Sequence, residues 1–385
     1  MRCFFRAGAS GGSSNRAFTI MAELSHQRGM APKRILVKEV NWLGDLVMSL
    51  PALRAIRSAF AGSMLSVLVR QELAGFFDGM GWVDEVISYT FRRGARGWTD
   101  QLQLIASIRE RCFDLAVIFP NSFRSALWTL LAGVPRRAGY ATDGRWLLLT
   151  ERAAPKLSST KVHQEFYWLD MVAETLGVSS TVIETLPSQL EVSQRNTAHM
   201  REWLAAHRRN QNAALIAISP AAAYGPAKEW PGPRFAELID LLQTAGAECI
   251  LLGTTSERRK CEQLASMSGR GALIAAGETG IGELKSLLSL CDGFVGNDSG
   301  IMHLAAAIGI PTVGIFGSTN PLRTGPVGAK ARTIYHPVAC SPCLKRTCRF
   351  DHYQCLQGIT PAEVAETLKQ LGGLETTSRA NLEMQ

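Results

Sequence analysis

The stretch from residue 290 to residue 316 limits the fold of this chain more than any other. Residues 290–295 form an apolar run with the length of a buried strand, and Gly296-Asn-Asp-Ser-Gly300 has the chemistry of a turn. An alanine-rich helix follows, Gly309-Ile-Pro311 ends it, and residues 312–316 form a second buried strand. The stretch therefore predicts a strand–turn–helix–strand unit of a parallel α/β sheet.

The turn in this stretch predicts an anion site. Asp298 and Ser299 are both residue types that cap helix N-termini. The first N–H groups of a helix have no internal partner, and the helix dipole adds positive charge there. Gly300 would let a ligand approach the backbone closely, and His303 on the first turn could reach a phosphate oxygen. The alternative is an ordinary capped crossover with His303 satisfied inside the fold.

The composition describes a globular protein with a basic excess. The 385 residues are enough for two domains, with 46% hydrophobic and 19% charged residues. A net charge of +8 suits a partner that carries phosphates: nucleic acid, an anionic membrane surface or a phosphorylated substrate. No apolar run reaches the roughly 18 residues of a membrane span. Neither a dinucleotide-binding glycine signature nor a phosphate-loop motif occurs, which argues against NAD and ordinary NTPase chemistry.

Strand and helix patterns alternate along most of the chain, which predicts two doubly wound α/β units. We expect these units to cover residues 33–190 and 191–358, with a helix at 359–371 and a disordered tail at 372–385. Residues 1–32 are rich in Gly, Ser and Arg, so we expect a disordered leader or a start codon assigned too early; a targeting role is the alternative.

Two positions outside the opening stretch have the character of site residues. Asp45 lies near the start of a predicted helix, at the carboxyl end of the first strand, where ligands bind in parallel sheets. A simple helix cap, with Gly44 supplying the turn, is the alternative for Asp45. Lys228 is the one cation in the Gly-, Pro- and Ala-rich loop 220–231, where a point charge suits a phosphate.

Four of the nine cysteines cluster near the C-terminus in the pattern C-x2-C-x4-C-x6-C. Because no secretory signal appears, a reducing cytosol is the default, and four thiols in a short segment then suggest a structural zinc site. The later spacings are too short for a standard zinc ribbon, so disulfides and free thiols remain alternatives. The candidate ligands are Cys340, Cys343, Cys348 and Cys355.

Three motifs occur in the order known from one family. They are Val37-Lys-x-x-Asn-Trp-Leu-Gly-Asp45 with Ser49-Leu-Pro-Ala-Leu53, then Gly225-Pro-Ala-Lys-Glu-Trp-Pro231, then Gly296-Asn-Asp-Ser-Gly-x-x-His303. Together they resemble the ADP-heptose:lipopolysaccharide heptosyltransferases of glycosyltransferase family 9, over about residues 33–370. The Asn-Trp-Leu-Gly-Asp form and the cysteine segment look most like the heptosyltransferase II group.

The resemblance implies a GT-B architecture: two Rossmann-like doubly wound domains facing a central cleft, with the last helix often crossing back to the first domain. It implies inverting transfer of heptose from ADP-L-glycero-β-D-manno-heptose to the heptose I residue of the inner core. Asp45 matches the general base, and Lys228 matches the lysine that contacts the donor diphosphate. Ala223-Tyr224 stands where some relatives carry paired threonines. The other positions that match donor contacts are Gly253, Glu257, Thr279, Asp298, Ser299, Gly300 and His303.

The resemblance also suggests the partners. We expect a phosphorylated lipid A–Kdo–heptose acceptor and peripheral attachment to the cytoplasmic face of the inner membrane. We also expect a monomer that binds no nucleic acid. No catalytic cofactor is expected, since Lys228 and helix amides would neutralise the diphosphate. The alternatives are another family 9 transferase such as a heptosyltransferase I-like enzyme, a GT-B nucleotide-sugar epimerase, a nucleotide-sugar binder without turnover, and a nucleic-acid-binding protein with a zinc module. The candidate acceptor contacts are Lys38, Arg92, Arg93 and Arg96.

Overall fold

Two six-stranded parallel sheets organise the chain. The computed structural model describes residues 31–92, 94–155, 162–178 and 190–375. The strand order is β3-β2-β1-β4-β5-β6 in the first sheet and β12-β11-β10-β7-β8-β9 in the second. The strands are β1 Arg34–Lys38, β2 Met64–Arg70, β3 Glu85–Tyr89, β4 Leu115–Ile118, β5 Arg136–Tyr140, β6 Glu151–Ala153, β7 Leu215–Ser219, β8 Glu248–Leu251, β9 Leu273–Ile274, β10 Gly293–Asn297, β11 Thr312–Phe316 and β12 Ala331–Tyr335.

Helices connect the strands and cover the sheets. Short 3-10 helices occur at Gln71–Phe77, Arg145–Leu148, Pro226–Lys228 and Thr255–Glu257. The α-helices of the described residues are α1 Leu43–Ala59, α2 Ala95–Glu110, α3 Phe123–Leu131, α4 Glu165–Leu176, α5 Gln194–His207, α6 Gly232–Thr244, α7 Arg258–Met267, α8 Ile281–Ser289, α9 Gly300–Ile308, α10 Pro321–Thr324, α11 Gln354–Gln357 and α12 Pro361–Gln370.

Both sheets are doubly wound, as the sequence predicts. Strands β1, β7, β10 and β11 are apolar runs with buried interiors, because a parallel sheet is covered on both faces. The strand order reverses between β1 and β4 in one sheet and between β7 and β10 in the other. Ligands of such sheets bind at the carboxyl ends of the strands beside these reversals, which places the site at the loops after β1, β7 and β10.

The two sheets face each other through close contacts between helix starts. Helix α1 packs on α9. A Cβ atom on Gly300 would lie 2.7 Å from Leu43 Cβ and 3.0 Å from Gly44 N, so only glycine allows this approach. Away from the cleft, Lys285 Nζ donates to the carbonyl oxygens of Phe76, at 2.7 Å, and Asp78, at 2.5 Å. The second unit is therefore tied to the first at a second place besides the helix contact.

Several boundaries differ from the predictions for physical reasons. Strand β10 begins at Gly293 and not at residue 290, because Leu290 ends α8. Helix α1 already includes Gly44, which is not a turn residue. The structure also contains β6 and β12, which the sequence patterns did not indicate.

The last helix does not cross back to the first unit. Thr360 caps α12, as predicted, since its hydroxyl accepts from Glu363 N at 3.2 Å. The helix packs on α6, and its Leu368 is buried in the core of the second unit. The crossover that the family resemblance suggested is therefore wrong for this helix.

Parts of the predicted leader, linker and tail lie outside the described residues: 1–30, 179–189 and 376–385. The two sheets occupy residues 34–153 and 215–335, and the proposed domain boundary near residue 190 falls between them. Within the part of the chain that the structure describes, no helix has the length and apolar character needed to cross a membrane.

Candidate active site

Asp45 lies on the first turn of α1, directly after the carboxyl end of β1. The helix cap is Trp42, so Asp45 is not the capping residue. Its carboxyl group borders a cavity of about 480 Å³ that is also lined by Asn41, Tyr167 and Arg323. Burial raises the pKa of Asp45 to about 6, and the charge of Lys228 opposes part of that rise. A carboxyl group in a cavity with a pKa near neutrality has the properties of a general base.

Lys228 and Asp298 form an ion pair in the opposite unit. Lys228 Nζ lies 2.5 Å from Asp298 Oδ2, and both side chains are largely buried. Thr319 Oγ1 donates to the same carboxylate oxygen at 2.6 Å. The residue type of Asp298 suggested a helix cap, but Asp298 does not cap α9. It holds the lysine at the carboxyl end of β10. The ion pair lies just before α9, and the start of α9 contacts the first turn of α1, which contains Asp45.

The N-terminus of α9 carries an unsatisfied hydroxyl group. Ser299 is the N-cap residue, but its side chain makes no capping hydrogen bond. Ser299 Oγ is buried without a hydrogen-bond partner among the described residues, and Ser318 Oγ, just after β11, is in the same state. Buried hydroxyl groups are normally paired, so these two are available to a ligand oxygen. Together with the amides of the α9 N-terminus, this hydroxyl group is suited to an anion, and the role of Ser299 in donor binding stays a prediction.

His303 is buried and neutral. Burial lowers the pKa of His303 to about 4; Asp298 counteracts this, while His163 and Lys228 add to it. Its ring packs against the start of α1, since a Cβ atom on Gly44 would lie 3.1 Å from His303 Cδ2. The imidazole therefore adds no positive charge to the cleft at neutral pH. A contact between this ring and phosphate stays a prediction.

The cysteine-bearing segment supports the lysine loop. Lys228 Nζ lies 4.9 Å from the centre of the Tyr224 ring, and Arg346 Cζ lies 5.1 Å from the same centre. Tyr224 Oη donates to Leu344 O at 2.8 Å, and Ala227 N donates to Arg346 O at 3.0 Å. The sequence did not indicate these contacts. The sequence signal for them was Tyr224, which stands four positions before Lys228 where some relatives carry a threonine.

Three of the predicted donor positions, Gly253, Glu257 and Thr279, follow the neighbouring strands β8 and β9. Glu257 Oε2 accepts from Thr254 N at 2.7 Å in a capping box. Gly253 lies against this carboxylate, because a Cβ atom there would be 3.1 Å from Glu257 Oε2. Thr279 follows β9, which pairs with β8, and is half-buried. Their role in donor binding stays a prediction.

The structure does not bring the candidate acceptor contacts into the cavity beside Asp45. Lys38 is buried beneath it: Nζ donates to the carbonyl oxygen of Glu39, lies 3.5 Å from Asn41 Oδ1, and sits over the Tyr89 ring. Burial lowers the pKa of Lys38 to about 7, because an ammonium group is poorly solvated there.

The basic loop after β3 also lies apart from the cavity lining. Arg92 is paired with Asp100 at 2.5 Å, Arg96 is exposed, and Arg93 is outside the described residues. Neither of the two described arginines borders the cavity that contains Asp45.

The cysteine cluster does not form the expected zinc site. Cys340, Cys343, Cys348 and Cys355 are free thiols. Cys340 Sγ lies 3.9 Å from His352 Nε2. Across the described ranges, no group of three or more His, Cys, Asp or Glu side chains is arranged to hold a metal ion. The structural zinc prediction therefore finds no support among the described residues, and the segment contacts the Lys228 loop through backbone carbonyl groups and the side chain of Arg346.

Two facing Rossmann-like sheets, with the candidate site residues at the starts of two helices that contact each other, have the architecture of the GT-B glycosyltransferases. The model of glycosyltransferase family 9 (heptosyltransferase) matches residues 101–354, and the chain belongs to this family. The enzyme class, the GT-B architecture and the family that the three motifs suggested are thereby confirmed.

Named relatives and solved structures agree with this assignment. The chain is 30% identical over 352 residues to lipopolysaccharide heptosyltransferase 2 of Escherichia coli K12, covering 88% of this chain and 98% of the relative. It is 28% identical to lipooligosaccharide heptosyltransferase 2 of Haemophilus ducreyi, with 88% and 99% covered. The structure of the E. coli ADP-heptose LPS heptosyltransferase II superposes with a TM-score of 0.74 at 27% identity, over 88% of this chain and 98% of that one. A family 9 protein from Veillonella parvula gives 0.76 at 21% identity, over 88% and 97%, which supports the fold alone.

Proposed function

We propose that the protein is an inverting heptosyltransferase that moves heptose from ADP-L-glycero-β-D-manno-heptose to the first heptose of the lipopolysaccharide inner core. The names of its relatives support heptose transfer. The observation that carries the mechanism is the position of Asp45, which lines a cavity at the start of α1, the helix that packs on α9 just after the Lys228–Asp298 ion pair. The first unit would bind the acceptor and the second the donor.

The second unit has the groups needed to hold a nucleotide diphosphate. The amides at the start of α9 and the unpaired hydroxyl of Ser299 would face its oxygens, and Lys228 would supply a positive charge. His303 would contribute a neutral N–H donor, because burial keeps it unprotonated. As the bond between the anomeric carbon and ADP breaks, charge grows on the diphosphate, and these fixed donors would stabilise it.

The first unit supplies the base. With a pKa of about 6, Asp45 is ionised at neutral pH but still basic enough to accept a proton. The acceptor hydroxyl would attack the anomeric carbon from the face opposite the departing ADP while Asp45 takes its proton. The new bond therefore has the inverted configuration. No covalent intermediate is required, which agrees with a single carboxyl group at this position.

The remaining partners belong to the same proposal. The acceptor would be a phosphorylated lipid, so the enzyme would work at the cytoplasmic face of the inner membrane. We expect it to be a monomer there. The 41 Lys and Arg residues exceed the 33 Asp and Glu residues, and the resulting net charge of +8 would favour an anionic surface.

Purified protein tests the proposal directly. It is incubated with ADP-heptose, with and without an inner-core acceptor that ends in the first heptose, and ADP release and glycolipid mass are followed. ADP release that depends on the acceptor, with a gain of one heptose, is the expected result. Isomerisation of the donor without acceptor would favour the epimerase alternative. Donor binding without transfer to this acceptor would redirect the search to a different acceptor within the family.

A further inference from the structure

One face of the first unit exposes large apolar side chains. It is formed by α2, α3 and the 3-10 helix Arg145–Leu148, which pack against one another in this order. We call it the α2–α3 face. Trp98 is 73% exposed, Leu102 65% and Leu147 67%. The other large apolar side chains exposed on it are Phe123, Leu130, Leu131 and Trp146.

The apolar surface of helix α2 extends beyond the part that the first unit buries. Its buried stripe places Leu104, Ile105 and Ile108 in the core beside the first sheet. Trp98 and Leu102, which are one helical turn apart, lie along the edge of this stripe and are exposed. The first unit therefore leaves part of the apolar surface of α2 uncovered.

The three elements form one continuous surface. Trp128 Nε1 in α3 donates to Gln101 Oε1 in α2 at 3.3 Å, so the helices lie side by side next to Leu102. Farther along, Arg109 Nη2 donates to Leu131 O at 2.5 Å. The contact of α3 with the 3-10 helix extends the surface to Trp146. The exposed side chains thus lie on three elements that are in contact with one another.

Positive charge accompanies the apolar side chains. Residues 92–152 contain ten arginines and five acidic residues, a net charge of +5 in a chain whose total is +8. Arg96, Arg109 and Arg124 are exposed on this segment, and Arg152 Cζ lies 5.7 Å from the centre of the exposed Trp146 ring. A surface that combines tryptophan, leucine and arginine is complementary to an anionic lipid interface.

We infer that the α2–α3 face docks on an anionic lipid bilayer. The tryptophan and leucine side chains enter the boundary between headgroups and acyl chains, while the arginines contact headgroup phosphates. The surface also adjoins the candidate active site: Phe119 and Asn121 line the cavity beside Asp45, and α3 begins at Phe123. Docking therefore brings this cavity to the bilayer. That last step rests on the proposed lipid-borne acceptor, whereas docking itself does not.

Vesicle co-sedimentation of the full chain, without nucleotide or acceptor, tests the docking. The double variant Trp98→Ser, Leu102→Ser is compared with wild type on phosphatidylethanolamine/phosphatidylglycerol vesicles and on phosphatidylcholine vesicles. We expect wild type to prefer the anionic vesicles and the double variant to bind them about tenfold less tightly or worse. The matched control is Leu241→Ser, Met267→Ser, which removes two exposed apolar side chains from α6 and α7 of the second unit and should bind like wild type.

A charge variant tests the second component. Arg96→Gln with Arg124→Gln should weaken binding to anionic vesicles by about fivefold per arginine at low salt, with little change on phosphatidylcholine. Quenching of tryptophan fluorescence by brominated lipids should fall in the Trp98→Ser, Leu102→Ser variant. Circular dichroism and the unfolding midpoint confirm that the variants are folded.

Three outcomes would overturn the inference: no vesicle binding by wild type, equal binding by wild type and the apolar variant, or a dimer in light scattering that the apolar variant dissociates. The last outcome would assign the face to a second copy of the chain. Docking that is lost in the variant, together with no heptose transfer by wild type, would retain the lipid surface and reject the proposed function. In the opposite case, transfer to a water-soluble acceptor with no vesicle binding would retain the function and reject the surface.

Discussion

Lys228 Nζ lies 2.5 Å from Asp298 Oδ2, in a cleft where the nearest histidine, His303, is neutral. The lysine is therefore already partly neutralised before any nucleotide binds. A bound diphosphate would share Lys228 with Asp298, and the amides at the start of α9 would add positive potential. This arrangement fixes the lysine in place, so that it need not be ordered when the donor binds.

Removing the lysine should weaken nucleotide binding. We expect Lys228→Ala to lower ADP affinity by about 10- to 100-fold in calorimetry, the range of one charge-assisted hydrogen bond. The Lys228→Ala variant also leaves the buried Asp298 carboxylate without its cation, which lowers the stability of the fold. The double variant Lys228→Met, Asp298→Asn removes both charges, so its ADP affinity reports the loss of binding without this loss of stability. The matched control is Lys260→Ala, which breaks a 2.6 Å ion pair with Glu229 that is more exposed. Equal affinities for wild type and Lys228→Ala would remove Lys228 from the donor site.

Removing the carboxyl group of Asp45 should abolish most turnover and leave donor binding intact. We expect Asp45→Asn to lower kcat by about 100-fold or more, the usual scale for a positioned base. In wild type, kcat/KM should rise with pH through about 6 and then level off, because only the ionised carboxylate can accept the proton. The variant should lose this rise. Glu110→Gln, on the exposed end of α2, is the control and should retain both the rate and the pH profile.

The same substitution should stabilise the folded protein at neutral pH. Burial raises the pKa of Asp45 from its ordinary value of 3.8 to about 6, so between these pH values the folded state binds the proton more tightly than the unfolded chain. The resulting stability is present at acidic pH and is lost as the pH rises through 6. We expect Asp45→Asn to raise the free energy of unfolding by about 2 to 3 kcal/mol at pH 7 and by little at pH 4. Denaturant unfolding at both pH values gives the comparison, and an equal effect at the two would contradict burial as the cause.

Local pattern was sufficient to predict much of the framework. Strand β11 has the predicted bounds, residues 312–316, because it is a continuous apolar run with clear ends. Strand β12 was missed, since its sequence Ala-Arg-Thr-Ile-Tyr is partly polar and lies at the sheet edge, where one side needs no partner. Helix α1 was placed two residues late because Gly44 resembles a turn residue, whereas it is there for the close approach of His303.

The pairings within the site could not be predicted in the same way. Asp298 has the residue type of a helix cap, but its partner is Lys228, which is 70 positions earlier in the chain and reaches it only through the β7–β10 pairing. Lys38 looked available to a substrate because lysine is usually exposed, yet the sheet buries it under Asn41. Arg346 lay in a segment that its cysteines made look like a metal site. Each of these depends on contacts between distant parts of the chain.

The unpaired hydroxyl of Ser299 leads to a separate prediction for folding and binding. Since Ser299 Oγ is buried without a partner in the described part of the chain, Ser299→Ala should leave stability unchanged or raise it slightly. If the hydroxyl group binds the donor, the affinity of Ser299→Ala for ADP-heptose should be about 5- to 10-fold lower than that of wild type. Ser266→Ala, which removes an exposed hydroxyl bonded to Glu262 O on α7, is the control. A loss of stability with unchanged donor affinity would mean that Ser299 is only structural.

The Tyr224 ring should matter for nucleotide binding through the two cations that lie over it. Tyr224→Leu removes the ring beside Lys228 and Arg346 and should weaken ADP binding several-fold, whereas Tyr224→Phe keeps the ring and loses only the hydrogen bond to Leu344 O. We therefore expect the phenylalanine variant to bind almost like wild type. Calorimetry at two salt concentrations would show whether the loss is electrostatic.

Arg346→Ala should produce part of the same loss, because Arg346 contacts the ring of Tyr224 from the cysteine-bearing segment. The segment offers a matched control in Arg349, which lies 5.0 Å from the centre of the Phe350 ring. Arg349→Ala removes an arginine stacked on an aromatic ring at almost the same distance, but away from Lys228. Equal ADP affinities for the two alanine variants would show that the segment does not position the lysine loop. A loss in Arg346→Ala alone would make this segment part of the donor site through its side chains and not through a metal.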